Sequence, residues 1–165
     1  MTSRPVAIVT GGAGFIGSHM VDLLLDRGFS VRVIDNLVGG REENLSHHRS
    51  NSSLEFVSRD VRSFVPGDAL FKGVRYVFHF AGIGDIVPSI EHPLEYMSAN
   101  VQGTVHMLEC ARDAGIGKFV YAASSSCYGL ASVPTREDHA IDARYPYALS
   151  KYQGCLLYTS DAADD

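Results

Sequence analysis

Apolar residues in this chain fall into short, strand-length runs separated by glycine-rich turns and by stretches with helical spacing. The first run, at 6–10, ends in glycines, and residues 15–27 then follow a helical pattern with Ile16, Met20, Leu23 and Leu24 on one side. A second run at 31–34 closes on Asp35-Asn36, a third lies at 54–57 and a fourth at 74–80, with a loop or short helix around 66–71. Residues 93–114 form a long helical stretch stopped by Gly115, a residue suited to a helix C-terminus. A fifth strand at 118–122 leads into a serine-rich turn, and a last helix begins near Pro146 and carries Tyr147 and Lys151.

Strand and helix alternating in this way imply right-handed crossovers and a parallel sheet with helices on both faces. The expected architecture is α/β and doubly wound. Sheets of this kind bind ligands at the carboxyl ends of their strands, and every candidate motif below lies at such an end.

Composition narrows the class. The 165 residues are 45% hydrophobic and 20% charged, the balance of a globular domain rather than a disordered chain. A net charge of −5 with no basic stripe argues against nucleic acid or an anionic membrane as partner. No apolar run reaches membrane-spanning length and the first five residues lack the layout of a signal peptide, so a cytoplasmic protein is expected. Cys110, Cys127 and Cys155 are an odd set without CxxC spacing, which fits a reducing compartment. The seven histidines show neither HxxxH nor HExxH pairing, so no metal site is expected.

Thr10-Gly11-Gly12-Ala13-Gly14-Phe15-Ile16-Gly17 joins the first strand to the first helix. Gly11 permits the tight turn, Gly14 lets the backbone approach a pyrophosphate, and Gly17 lets helix and strand pack closely. The helix start adds free N–H groups and a partial positive charge. Asp35 stands 18 positions beyond Gly17, where a carboxylate accepts both hydroxyls of an adenine ribose and repels a 2′-phosphate. Arg32 precedes it and Arg41 comes later, but no basic residue directly follows. The pattern therefore predicts a Rossmann-type dinucleotide site that takes NAD rather than NADP.

Tyr147 and Lys151 stand four residues apart and so share one helix face. An ammonium near a phenol favours its phenolate, which suits the pair to proton exchange with a substrate hydroxyl; the lysine could also hold the nicotinamide ribose. At the end of the fifth strand, Ser124-Ser125-Ser126 offers a hydroxyl to orient the reacting oxygen.

Taken together, TGGAGFIG at 10–17, Asp35-Asn36-Leu37, Asp60-Val61, His79-Phe80-Ala81-Gly82, Asn100-Val101-Gln102-Gly103-Thr104, SSSCYG at 124–129 and YALSK at 147–151 resemble the extended short-chain dehydrogenase/reductases. The likeness runs from Val6 to about Gly154 and is closest to the NAD-dependent nucleoside-diphosphate-sugar epimerases, especially UDP-hexose and UDP-N-acetylhexosamine 4-epimerases. It implies that Gly11, Gly14, Phe15, Ile16 and Gly17 meet the pyrophosphate, that Asp35 and Asn36 close the adenosine-ribose end, and that Asp60 and Val61 border the adenine. Ala81 and Gly82 would pass beside the cofactor and Asn100 would support the sheet end near the nicotinamide. The family's catalytic Ser/Thr lies four residues before the Tyr of its Tyr-Gly pair, which selects Ser124, with Tyr147 as acid/base and Lys151 as its partner. The implied reaction is epimerisation of a sugar nucleotide through a 4-keto intermediate, without net redox, in a homodimer packed through the 93–114 and Tyr147 helices.

Neighbouring chemistries are also implied. The related 4,6-dehydratases carry Asp-Glu directly after the catalytic Thr, and the decarboxylases a Glu two residues on, whereas this chain has Ser125 and Ser126; elimination then lacks its proton donor. A sugar-nucleotide dehydrogenase or reductase remains an alternative, as does a redox sensor that binds NAD(P) without catalysis, although sensors commonly lack the YxxxK pair present here. Galactose epimerases usually have a lysine two residues beyond HFAG, but this chain reads Ile83-Gly84-Asp85, and the run at 82–90 looks more like the acetamido-hexose epimerases.

The last expectation concerns the C-terminus. Family members continue past this helix into further strands and a smaller substrate domain. The string 155–165 resembles a translated adapter of transposon-based sequencing libraries, so the domain is read as 1–154, incomplete, with 155–165 foreign to it. On this reading the 165-residue chain is poorly soluble and inactive, and the function belongs to an intact parent.

Overall fold

Val6–Thr10 (β1), Ser30–Asp35 (β2), Leu54–Ser58 (β3), Val74–His79 (β4) and Lys118–Tyr121 (β5) pair in parallel in the order β3-β2-β1-β4-β5. The structure is a computed structural model and describes residues 4–161. Residues 1–3, part of the N-terminal stretch read as lacking a signal-peptide layout, and the last four residues of the tail, 162–165, lie outside the described residues. All five predicted strands are present to within a residue or two. The order reverses direction at β1, so the chain leaves β1 and β4 toward opposite sides and a crevice opens between their carboxyl ends.

Alternation along β1 divides the core into two, because successive side chains in a strand point to opposite faces. Ala7 and Val9 join Val31, Val33, Val21 and Leu24 on the face covered by α1 (Phe15–Asp26). Ile8 joins Ile34, Phe64, Phe71, Val77 and Met107 on the other, under α4 (Gly103–Asp113). The doubly wound sheet is thus covered on both faces as expected, but the covering is uneven. Only a seven-residue 3-10 segment, Glu42–His48, connects β2 to β3, and two short turns, Val61–Ser63 and Ala69–Phe71, connect β3 to β4. Strict strand–helix alternation does not hold there.

Two further details differ from the periodicity. In α1 the buried residues are Gly17, Ser18, Val21 and Leu24, while Ile16 and Leu23 are exposed. The apolar side drawn through Ile16 is therefore rotated, because Gly17 must face the Gly11-Gly12 turn, where no side chain fits. The 93–114 helix is composite. After α2 (Val87–Glu91), α3 (Pro93–Tyr96) passes through a π-helical stretch, Met97–Gln102, into α4. Such stretches recur at functional sites, and this one carries Asn100. The last helix, α5 (Pro146–Asp161), runs through Cys155 without a break, and the Tyr158 ring lies 6.2 Å from that of Phe119. Cys110 and Cys127 are buried free thiols. Burial raises both, Cys110 to about 11. Among the described residues no helix is long and apolar enough to cross a membrane.

One buried polar network ties the strands to α4. His79 is fully buried, with Nδ1 2.7 Å from Thr10 Oγ1 and Nε2 3.1 Å from Thr104 Oγ1. Thr104 donates its hydroxyl to Asn100 O, so it accepts from His79 Nε2–H, and Thr10, which accepts from Ala81 N–H, donates to Nδ1. Every partner is accounted for by the neutral ring. Burial, with the nearby Lys151 charge, holds His79 down from 6.5 to about 3. The unfolded chain therefore binds a proton below pH 6.5 that the folded chain refuses, and the stabilisation is complete above 6.5 and lost as pH falls toward 3. On urea unfolding, the wild type is expected to lose about 2 kcal/mol between pH 7 and pH 5 that His79→Gln retains. Equal pH slopes for the two proteins would contradict the buried neutral ring.

Candidate active site

The glycine turn is shaped by contact with the end of β4. Gly11 has φ +66°, and a Cβ there would lie 2.7 Å from Ala81 N, so the backbone passes where no side chain fits. A Cβ on Gly17 would run into the carbonyl oxygen of Gly11 and the Gly12 backbone. Gly14 then caps α1 without a side-chain hydrogen bond, and the Phe15, Ile16 and Gly17 N–H groups find no acceptor among the described residues. Three free donors at a helix start are suited to an anion. Phe15 and Ile16 are 79% and 63% exposed, so their apolar side chains are not what packs α1 onto the sheet.

Asp35, at the end of β2, is 7% exposed. One carboxylate oxygen accepts from Ala13 N–H at 3.0 Å and the other from Leu37 N–H at 2.8 Å. These bonds hold the carboxylate against the glycine turn and leave each oxygen with further accepting capacity. Beyond β3, Asp60 is held by both Arg62 Nε (2.9 Å) and Nη2 (2.6 Å), and also accepts from Asn36 Nδ2 at 2.9 Å. The Arg62 guanidinium keeps the Asp60 carboxyl well below the usual range, against the opposing effect of partial burial.

These elements enclose a cleft of about 440 Å³. Gly11, Gly14, Asp35, Asn36, Asp60, Val61, Ala81 and Gly82, all singled out in the sequence, line it. Phe15, Ile16, Gly17, Asn100, Ser124, Tyr147 and Lys151 do not. Val38, Gly39, Gly40, Arg59, Arg62, Ile83, Gly84 and Glu95 line it as well and were not anticipated. The Gly39-Gly40 pair after β2 was the available signal for that loop, and the position of Arg62 two residues after Asp60 was the signal for the clamp.

The π-helical stretch joins this cleft to α5. Asn100, 1% exposed, accepts from Ile83 N–H at 2.7 Å and donates to Ile83 O and to Ser150 Oγ, which in turn donates to Tyr147 O. Tyr96 donates to Gly84 O at 2.6 Å, and its ring meets that of Tyr147 edge-on at 6.3 Å. Both ends of the 83–84 loop are thus pinned to the helix that carries Tyr147. Lys151 is 6% exposed, its ammonium 4.6 Å from the Tyr121 ring centre and 3.8 Å from where a Gly82 Cβ would stand. Burial brings it down to about 8. Ser124 caps the turn Ser125–Tyr128, its Oγ accepting from Ser126 N–H at 3.2 Å, which leaves its own proton to donate. That turn rests on α5 through Cys127, whose thiol lies 3.6 Å from Ala148 O. Ser124, Tyr147 and Lys151 therefore occupy adjoining elements, although no hydrogen bond joins them among the described residues.

Residues 7–163 match the NAD dependent epimerase/dehydratase family. The chain belongs to this family. A UDP-glucose 4-epimerase of Mycolicibacterium smegmatis is 40% identical over 154 residues, covering 89% of this chain and 48% of that protein. The solved UDP-N-acetylglucosamine 4-epimerase from Methanobrevibacter ruminantium M1, in complex with UDP-N-acetylmuramic acid, superposes with a TM-score of 0.89 at 30% identity, over 99% of this chain and 52% of that one. A dTDP-glucose 4,6-dehydratase from Streptomyces venezuelae, with NAD and TYD bound, gives 0.88 at 32%, over 96% and 52%. The chain spans about half the length of the curated relatives it matches.

As a member of the NAD dependent epimerase/dehydratase family, the chain has NAD as cofactor, and its residues fit one. A glycine turn that no Cβ could enter and a buried carboxylate at the end of β2 line one cleft, and Gly14, which caps α1, is part of that lining next to the free amides of the helix start. Two consequences are measurable. Gly17→Ala forces backbone against backbone and is expected to cost about 1–3 kcal/mol or more on denaturant unfolding; an unchanged midpoint would mean that the turn relaxes freely. Lys151→Met removes a buried charge. Because Lys151 titrates at about 8 rather than 10.5, the folded chain bears a cost at neutral pH that fades as pH rises from 8 to 10.5. The variant is expected to gain up to about 3 kcal/mol at pH 7 and little near pH 10.5. A less stable variant at pH 7 would contradict this.

Proposed function

We propose that this chain carries the cofactor-binding and catalytic half of an enzyme that epimerises a nucleoside-diphosphate sugar at C4. The observation that carries the reading is on α5. Lys151 holds a buried ammonium beside Gly82, at the rim of the cleft, while Tyr147, one turn earlier on the same helix, keeps a phenol without a hydrogen-bond partner among the described residues. A proton-transfer group with no internal partner and a neighbouring cation is what acid–base work on a substrate hydroxyl requires.

In this reading Gly11 and Gly14, with the amides of Phe15, Ile16 and Gly17, receive the pyrophosphate. Asp35, with Asn36, takes the adenosine ribose and turns away a 2′-phosphate, while Asp60 and Val61 close the adenine end. Ala81 and Gly82 run beside the cofactor, and Asn100 braces that loop against α5. NAD, when bound, supplies the hydride acceptor and donor. Tyr147 takes the proton of the sugar C4 hydroxyl and returns one to the keto oxygen after the sugar has turned over. Ser124 donates a hydrogen bond to the same oxygen. Lys151 keeps positive charge beside the phenolate and is available to the nicotinamide ribose.

Relatives named as 4-epimerases support this assignment. The dehydratase likeness does not extend to the serine turn, where Ser125 and Ser126 supply no carboxylate for elimination. The run at 82–90 favours an acetamido-hexose. We also propose that the intact protein is a homodimer. Its support is the family likeness, which implies a contact between subunits through the 93–114 stretch and α5.

The test uses a chain extended to the length of its relatives, incubated with NAD and either UDP-glucose or UDP-N-acetylglucosamine and followed by NMR. The 4-epimer is expected to appear without an unsaturated or 4-keto-6-deoxy product, and Tyr147→Phe is expected to lower kcat roughly 10²–10⁴-fold while NAD binding persists. The 165-residue chain alone is expected to show no turnover. An extended chain that binds NADH but leaves both sugars unchanged would support a sensor and overturn the enzyme.

A further inference from the structure

On the α1 side of the sheet, away from the residues assigned to the reaction, two imidazoles converge on a single carboxylate oxygen. Asp22 Oδ1, from the middle of α1, lies 2.9 Å from His47 Nε2 and 2.7 Å from His48 Nε2. All three donor atoms lie within 4.8 Å of one another. Their backbones are 25 and 26 residues apart from Asp22 in sequence, so the cluster is made by the fold. Neighbouring side chains on a helix leave the axis about 100–120° apart. Two consecutive histidines at the end of a 3-10 segment would therefore ordinarily point apart. Here their ring centres are only 4.1 Å apart, with the planes tilted by 44°.

We propose that Asp22, His47 and His48 form a binding site for a divalent transition metal of the zinc class. Two imidazole nitrogens and one carboxylate oxygen are a borderline-soft donor set, which suits zinc, cobalt or nickel and offers little to magnesium or calcium, both of which require oxygen ligands. Tetrahedral coordination at ordinary zinc–nitrogen and zinc–oxygen lengths separates ligand atoms by about 3.3 Å. The observed spacings need to widen by only about half an ångström, and a neutral ring becomes a ligand by moving its proton from Nε2 to Nδ1. Partial exposure of the side chains (54% for His47, 16% for His48 and 35% for Asp22) gives the ion a path in and leaves the fourth position open to water. His19 Nδ1, 3.9 Å from the other Asp22 oxygen, stands at the rim.

A bound ion would staple the β2–β3 connection to α1. The same connection includes Val38, Gly39 and Gly40, which line the cleft described above, so the site braces one wall of that cleft from outside. The expectation of no metal site rested on spacing within a short sequence window. It missed a pair that becomes a ligand set only when α1 supplies the third group.

The test is a zinc titration of the 165-residue chain against a chromophoric chelator, with thermal unfolding in parallel. One equivalent is expected to bind at micromolar zinc and raise the unfolding temperature, whereas magnesium has no effect. Both responses are expected to vanish in His47→Gln/His48→Gln and to persist in His139→Gln. Because the chain has three cysteines, cobalt substitution of the wild type supplies a second readout. Visible bands of a low-coordinate ion without a near-ultraviolet thiolate band support the site. A thiolate band, no saturable binding, or equal binding by the double variant would each overturn it. None of these outcomes depends on the sugar-nucleotide reading.

Discussion

The structure depends on a near collision. At the carboxyl ends of β1 and β4 the chain turns away in opposite directions, and Gly11 passes so close to Ala81 that a single methyl group would not fit between them. Phe80 N–H donates to Thr10 O, Ala81 N–H to the Thr10 hydroxyl and Gly11 N–H to Ile34 O. Three strands are thus joined just where they cease to be a sheet. The cleft is the space these diverging backbones leave, and its polar edge consists of main-chain groups that the turn prevents from pairing with one another. Side chains contribute chiefly at the far end, where Asp35 and the Asp60–Arg62 clamp supply charge.

A second set of contacts ties α5, with Tyr147 and Lys151, to that backbone. Burying Asn100 is tolerable because each of its polar atoms has a partner, and those partners lie on both the 83–84 loop and α5. The π-helical stretch is what turns Asn100 inward while Tyr96 reaches Gly84. His79 extends the same network under the sheet, through Thr104 to Asn100 O. A displacement of α5 would therefore be felt at the glycine turn through fully satisfied buried hydrogen bonds. Lys151 is the costly exception. A charge held under cover without a carboxylate partner among the described residues is a sacrifice of stability of the kind that functional sites make.

Much of the fold and of the cleft lining was legible in the sequence because the relevant signals are local. Strand periodicity, the spacing of Gly11, Gly14 and Gly17, and the position of Asp35 eighteen residues on are all local signals, so all five strands and the glycine-turn end of the cleft could be read directly. Features that depend on which residues meet across the fold could not. The buried face of α1 is set by Gly17 meeting the turn rather than by the largest apolar residues, so Ile16 and Leu23 misled. Periodicity at 93–114 gives no sign of a π-helical insertion, since widening one turn preserves the apolar spacing on either side. Arg62 and Tyr96 acquire meaning only beside Asp60 and Gly84, and His47 and His48 only beside Asp22.

The most direct test of the account is a crystal structure of the chain grown with NAD+. It predicts diphosphate density over the amides that open α1, the adenine ribose on Asp35, and the nicotinamide ribose within hydrogen-bonding distance of the Lys151 ammonium, with its ring facing Tyr147. Density that places the nicotinamide outside the cleft, with Tyr147 and Lys151 turned from it, would contradict the account.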